Sequence, residues 1–451
     1  MSHSSNFFLK YSYLLKNILW LGFDNILRII SGLFVGVMVA RVLGPTNFGS
    51  YSFALAFSGV FTTLSLIGNN NIIVRDITHN PSKKDEIIGS AIALRVIAGS
   101  IFFICSIIAN SIFSPKYVDP NLKNTIFIIS TIIFFQVVDV FESWFQAKIM
   151  VKKVILAKDA ALVLGIILKI LLIYTKTQNI SMYAVVYLIE YILTAIFITC
   201  AYYFSNDRRI GLSINLELLK KYFYKSIPII FSVLAIYIQS KIDPVILSKW
   251  LFPKDIGMYS IAINLVDSLA FIPMAIYTTA APIISGAKIY LSPKDYQLRL
   301  KYIFTMLLIV SGIISIFIFA FSKSIIFTLY GIEYASAATL LKQMAFRIIF
   351  ISYGIGRGLY IVNEDLFTYA MINTVCMGLF GFLLNIYAIP LYGIVTPIYV
   401  YYLTSIIFLV LFDLFYKHTK THANNALQLL LDPFKTIKSM YAFVAHGIFI
   451  H

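Results

Sequence analysis

The stretch Gly44-Pro-Thr-Asn-Phe-Gly-Ser-Tyr-Ser52 returns 208 residues later as Phe252-Pro-Lys-Asp-Ile-Gly-Met-Tyr-Ser260. Pro45, Gly49, Tyr51 and Ser52 fall on Pro253, Gly257, Tyr259 and Ser260 at that one offset. Arg41 falls on Lys249, Leu43 on Leu251 and Ala54 on Ala262. Any tight turn between helices recruits Pro and Gly. Seven matches at one offset, each set lying between two long apolar runs, point instead to a duplicated architecture. The Pro and Gly make the turn, and the Tyr is expected at interface depth, where amphipathic rings collect.

The runs around these turns decide the class. The chain has 451 residues, of which 60% are hydrophobic and only 12% charged. Soluble domains carry about 25% charge. This composition excludes a disordered, fibrous or nucleic-acid-binding chain and argues against a soluble enzyme. A spanning helix needs about 20 mostly apolar residues. Twelve such segments are predicted, near residues 18–40, 49–73, 87–112, 124–146, 155–175, 181–204, 222–248, 257–284, 301–321, 335–361, 367–389 and 392–416. The runs do not alternate as barrel strands do, so the spans are helices. The first run lacks a small-residue cleavage site and reads as a retained anchor.

Twelve spans place both ends on one side. With the termini inside, 23 of the 36 Lys and Arg residues fall on inner segments, 8 on outer ones and 5 within spans. The excess of inner positive charge predicts cytoplasmic termini, and it accounts for most of the formal +16 without any nucleic-acid partner. The expected fold is all-α and polytopic, with two parallel six-helix bundles related by a pseudo-two-fold axis along the membrane normal. The bundles cover 1–205 and 206–417, followed by a cytoplasmic tail, 418–451. Its apolar run Met440–Ile450 is too short to span and would lie at the inner interface. Parallel repeats of this kind belong to transporters that rock two bundles about a central site.

A charge at mid-bilayer costs about 2.5–3.5 kcal/mol on insertion scales, so such residues face a bundle interior or a wet cavity. The first span carries Asp24, Asn25 and Arg28, with Asp24 and Arg28 one turn apart and able to pair. Its repeat equivalent carries Gln239, Lys241 and Asp243. Arg95, Asp139, Glu142, Lys169, Glu190, Asn264, Asp267 and Arg347 complete the set. One reading is a hydrated cavity whose cations, Arg28, Lys241, Arg95 and Arg347, hold an anionic head group. The acids Asp24, Asp139, Glu142 and Asp267 would then couple an ion, Asp139 and Glu142 as a proton pair. The other is a set of ion pairs inside the bundle, which suits Lys169 and Asp243 best. Pro228, Pro273, Pro282 and Pro397 sit inside spans and are read as kinks, either hinges or static bends.

The residues also carry a family likeness. Leu15-Lys-Asn-Ile-Leu-Trp followed by Val39-Ala-Arg-Val-Leu-Gly-Pro-Thr-Asn-Phe-Gly-Ser-Tyr-Ser52 resembles the start of Wzx-type polysaccharide flippases. Phe145-Gln-Ala with Lys152-Lys-Val is similar to their fourth inner turn. Asn385-Ile-Tyr-Ala-Ile-Pro-Leu-Tyr-Gly-Ile394 is similar to their closing segment. Thr396-Pro397 departs from the usual Gly-Ala pair, which suggests a differently bent last helix.

The resemblance implies the multidrug/oligosaccharidyl-lipid/polysaccharide exporter superfamily. It implies a bacterial inner-membrane flippase for an undecaprenyl-pyrophosphate-linked oligosaccharide, an O-antigen or capsule unit, working by alternating access. It also implies contact with membrane lipid, a polymerase and a chain-length regulator as pathway partners, and no cofactor.

Two alternatives stand beside this reading. A cation-coupled multidrug exporter of the same superfamily would favour an acid-dominated cavity. A polysaccharide polymerase or membrane glycosyltransferase would need a sizeable outer loop, and none is present. Cys105, Cys200 and Cys376 lie far apart in apolar runs, with neither metal-ligand nor disulfide spacing.

Overall fold

Apolar segments in lipid must satisfy their own backbone, and the chain does so with helices. The computed structural model describes residues 2–68, 70–113, 115, 120–205, 209, 211–420 and 424, with side chains from Leu27 onward except Ile30. The run Met440–Ile450 and nearly all of the tail lie outside the described residues. The helices up to residue 247 are α1 (Ser2–Ser65), α2 (Asn70–His79), α3 (Lys84–Ile112), α4 (Leu122–Ser130), α5 (Ile132–Phe135), α6 (Asp139–Ala147), α7 (Val151–Tyr174), α8 (Ile180–Ser205), α9 (Leu216–Lys241) and α10 (Asp243–Leu247). Then come α11 (Pro253–Leu269), α12 (Phe271–Tyr290), α13 (Pro293–Tyr330), α14 (Ala335–Met344), α15 (Arg347–Asn363), α16 (Phe367–Tyr392), α17 (Thr396–Ser405) and α18 (Phe412–Phe415).

Among the described residues eight helices are long and apolar enough to cross a membrane, and nine if the pair Ile332–Met344 and Arg347–Asn363, bent by 45°, forms one span. Two of the eight hold two spans each. The segment Leu27–His79 leaves helical geometry at Gly44, whose φ of 71° and ψ of 169° suit glycine alone, and Pro45 opens the next helix. Phe367–Phe415 breaks likewise at Gly393. α7 is a long helix that carries Lys158, Asp159 and Lys169, and it is not among the helices apolar enough to cross by that measure, where twelve spans were expected.

The contacts divide the chain into two compact units, Met1–Gly257 and Met258–His451. In the first unit α7 runs along α8, α1 touches α3, α4 and α7, and α2 lies against α6. α9 joins this unit by packing on α1 and α3. The segment before it is fastened to the start of α3. The Ser213 N–H donates to the Asp85 carbonyl at 3.2 Å, and the Asn215 N–H donates to Ser90 Oγ at 2.9 Å. Asn215 also caps α9 through the N–H groups of Glu217 and Leu218. The core at this end stacks Phe141 and Trp144 of α6 on Tyr202 of α8, with ring centroids 4.4 and 5.0 Å apart. In the second unit α13 packs against α12, α14 and α15, and α16 against α17.

Helix faces turned outward are apolar. Along α3, Ala91, Leu94, Arg95 and Ala98 are buried, while Ile97, Ile101, Ile104 and Ile108 are each more than half exposed. A stripe of isoleucines on the outside of a bundle fits hydrocarbon, not water.

Three interruptions depart from the uniform spans expected. The second span stops at Ser65 and restarts as α2 at Asn70. The fourth is broken between α4 and α6 by a 3-10 turn, Gln136–Val138. The last widens into a π-helix over Ile406–Leu411. The prolines also divide. Pro228 and Pro282 lie inside α9 and α12. Pro397 stands in the first turn of α17, where no backbone N–H is needed, and Pro273 lies three residues after the interruption at Ala270 between α11 and α12, which run on as one span.

Candidate functional site

Stopping a helix inside an apolar bundle frees backbone groups that must be paired. At the break between α1 and α2 one side chain does most of this. Arg95 of α3 donates from Nε to the Ile67 carbonyl at 3.2 Å. Its Nη2 donates to the Gly68 carbonyl at 2.9 Å and to Asn70 Oδ1 at 2.7 Å. Ser226 of α9 accepts the Gly68 N–H at 2.9 Å. Arg95 is only 3% exposed, and its Nη1 has no hydrogen-bond partner.

The break opens a cavity of about 260 Å³ within the first unit. Arg95 and Asp139 line it, with Asn70 and Asn71 from the start of α2 and Ser226 from α9. Leu66, Ile229, Ile230 and Val233 make its apolar wall. Asp139 is there because α6 begins at that residue, directly after the 3-10 turn.

A string of charges leads away from the cavity. Glu142, one turn beyond Asp139, forms an ion pair with Lys158 of α7. The next residue, Asp159, lies 3.9 Å from Arg28 Nη2 of α1. Glu142 and Asp159 are 7% and 8% exposed, and these neighbours offset part of the desolvation cost of each carboxylate. Lys169 and Glu190 pair at 2.9 Å between α7 and α8.

The second unit holds its own pairs. Arg347 Nε lies 3.3 Å from Asp267 Oδ1, and its guanidinium lies 3.9 Å from the centre of the Tyr401 ring. Arg357 grips Asp413 with two bonds, 2.6 and 3.0 Å, and the Tyr369 hydroxyl donates to the same carboxylate at 2.7 Å.

Among the residues singled out in the sequence, Arg95 and Asp139 share the cavity, with Glu142 and Arg28 further along the charge string. Arg347 and Asp267 form a pair with each other. Lys241 is the last residue of α9 and exposed. Asp24 is helical, and its side chain, with the pairing to Arg28, lies outside the described residues. Among the turn residues, Arg41 and Lys249 are exposed. Pro45 and Gly49 meet Pro253 and Gly257 backbone to backbone. Tyr51 and Tyr259 are buried, Tyr259 completely. Tyr51 turns inward onto Tyr183, 6.4 Å away.

Asn70, Asn71, Asp159 and Asp413 were not anticipated. Arg357, not singled out in the sequence, is 5% exposed. The polar run Gly68-Asn-Asn-Asn71 inside an otherwise apolar segment was the available signal for the break. Among the described residues no three His, Cys, Asp or Glu side chains cluster as metal ligands.

Residues 14–288 match the polysaccharide biosynthesis protein family. No curated protein sequence matches the chain. Among solved structures it is similar to an inward-facing multidrug resistance MATE family transporter of the MOP superfamily. Identity there is 15% and the TM-score 0.69, covering 87% of this chain and 96% of that one. It is also similar to the lipid II flippase MurJ in an inward closed conformation, at 15% identity and TM-score 0.67, covering 93% of each chain. A eukaryotic MATE transporter, AtDTX14, follows at 15% identity and TM-score 0.53, covering 93% and 98%. The fold is therefore that of MOP-superfamily transporters.

Proposed function

The chain belongs to the polysaccharide biosynthesis protein family, and from that premise we propose that it is a flippase, not an enzyme. It moves an undecaprenyl-pyrophosphate-linked oligosaccharide, an O-antigen or capsule repeat unit, across the bacterial inner membrane by alternating access. Two six-span halves, 1–205 and 206–417, rock against each other, and both termini are cytoplasmic. The repeat unit would then pass to a polymerase and its chain-length regulator.

The observation that carries this reading is the break between α1 and α2 with its polar cavity. Irregular backbone at membrane depth is tolerated only where it is buried in protein or lines a cavity, and broken helices are how transporters build sites. A lipid II flippase of the same fold makes a lipid-linked cargo the natural class.

Arg28 and Lys241 are the more exposed cations and meet the pyrophosphate. Arg347 is already held by Asp267 and Tyr401, so a phosphate reaches it by displacing Asp267. That exchange would leave Asp267 to take up the coupling ion. Asp24 and Glu142 serve the same coupling in the first half.

Deletion of the gene tests the function. Single lipid-linked units should accumulate on the inner leaflet. Flipped but unpolymerised units would mark a polymerase instead. Export of cationic dyes by the purified protein would mark a multidrug exporter.

A further inference from the structure

The cavity at the helix break has a chemistry that a pyrophosphate does not fit. Arg95 Nη1 is a buried donor without a partner, and leaving such a group unpaired is costly. Asp139 lines the same space, yet among the described residues the two form no ion pair. One cation and one carboxylate leave the cavity close to neutral. An anion bound to Arg95 would face the Asp139 carboxylate, and a cation bound to Asp139 would face Arg95. At such short range neither opposition is small.

A neutral hydroxylated ligand meets neither obstacle. A hydroxyl accepts from Arg95 Nη1 through its oxygen, and it or its neighbour donates to Asp139. Asn71 lines the same space. Leu66, Ile229 and Val233 offer the apolar wall that the C–H face of a sugar ring needs. A cavity of about 260 Å³ lies just below the roughly 300 Å³ at which pockets for drug-sized ligands begin. It holds one ring, not a repeat unit.

We propose that this cavity is a subsite for a single uncharged sugar ring, bridged between Arg95 Nη1 and the Asp139 carboxylate. The assignment of that ring to the transported oligosaccharide rests on the flippase reading. The site itself rests on the cavity alone.

The test uses the full-length protein in nanodiscs and saturation-transfer difference NMR with D-glucose, D-galactose and N-acetyl-D-glucosamine. Orthophosphate, followed by phosphorus line broadening, is the anionic probe. At least one sugar should receive saturation, and orthophosphate should not broaden. Asp139→Asn should weaken the sugar by about tenfold, because a hydrogen bond to a charged group is lost, and should admit orthophosphate. Ile229→Trp fills the cavity from its apolar wall without touching the polar groups and should abolish the sugar signal.

No signal from any of the three sugars in the wild type overturns the site. So does orthophosphate binding in the wild type, or a sugar signal unchanged in both variants. The flippase reading fails separately, if a deletion strain builds normal surface polysaccharide. In that case a sugar signal lost in both variants would keep the site and overturn its link to a transported unit.

Discussion

Gly49 and Gly257 meet backbone to backbone. A Cβ on Gly49 would stand 1.7 Å from the Pro253 carbonyl oxygen and 2.8 Å from the Gly257 nitrogen. A Cβ on Gly257 would stand 2.1 Å from the Pro45 carbonyl oxygen and 3.1 Å from the Gly49 nitrogen. The two repeat turns thus use equivalent atoms reciprocally, as two copies of one motif related by a local two-fold must. Either glycine changed to alanine forces backbone apart, an overpacking cost of about 3 kcal/mol or more. Thermal unfolding in detergent should show each single variant strongly destabilised. The double variant should be far less than additive, since both act on one contact. A neutral Gly49→Ala would show that the turns do not touch.

Arg357 and Asp413 make the most fully buried charge pair in the second unit, 5% and 0% exposed. Taking one partner away strands the other charge at a cost of about 3–5 kcal/mol, whereas an apolar pair of similar shape is close to neutral. Asp413→Leu alone should therefore lower the unfolding temperature sharply, and adding Arg357→Met should recover most of it. If the double variant is as unstable as the single one, the pair has a role beyond mutual neutralisation. Asp413 also accepts the Tyr369 hydroxyl, so recovery short of complete is expected.

The membrane class was open to reading because hydropathy is a property of whole segments. The turn motif was legible because a fixed offset needs no three-dimensional information. The breaks were not. Ser65 to Asn70 reads as part of one span until Arg95, 25 residues beyond Asn70, is known to pair the freed carbonyls. Partner choice among buried charges was equally hidden. Arg28 was matched to Asp24 by helical spacing, while the described contact is with Asp159, 131 residues away in sequence. Local periodicity places a charge on a face and says nothing of which helix that face meets.

The break itself should be measurable as a local stability. Ser226→Ala removes the acceptor of the Gly68 N–H and leaves a buried donor unpaired, a loss of about 1–3 kcal/mol. Arg95→Lys keeps the charge but cannot reproduce the forked contact to two carbonyls and an amide. Amide hydrogen exchange should quicken at residues 66–71 in both variants, more in Arg95→Lys, and stay unchanged in the second unit. Uniform acceleration across the chain would mean that the break is not a separate element.

Arg28 and Lys241 carry the last prediction, because they separate transport from folding. Arg28 has 37% of its side chain exposed and lies 3.9 Å from Asp159, and Lys241 is exposed at the end of α9. A pair with one partner more than a third exposed contributes about 0–1 kcal/mol, so the loss of either cation is expected to cost the fold little. Replacing either with alanine should leave the protein in the membrane at wild-type level and yet abolish surface polysaccharide. Arg28→Lys should restore part of the activity, since a point charge still attracts a phosphate without the fork. If both alanine variants build polysaccharide normally, the pyrophosphate is held elsewhere. Arg347 would then become the cation to examine, and Asp267→Asn, which loosens its ion pair, the variant that exposes it.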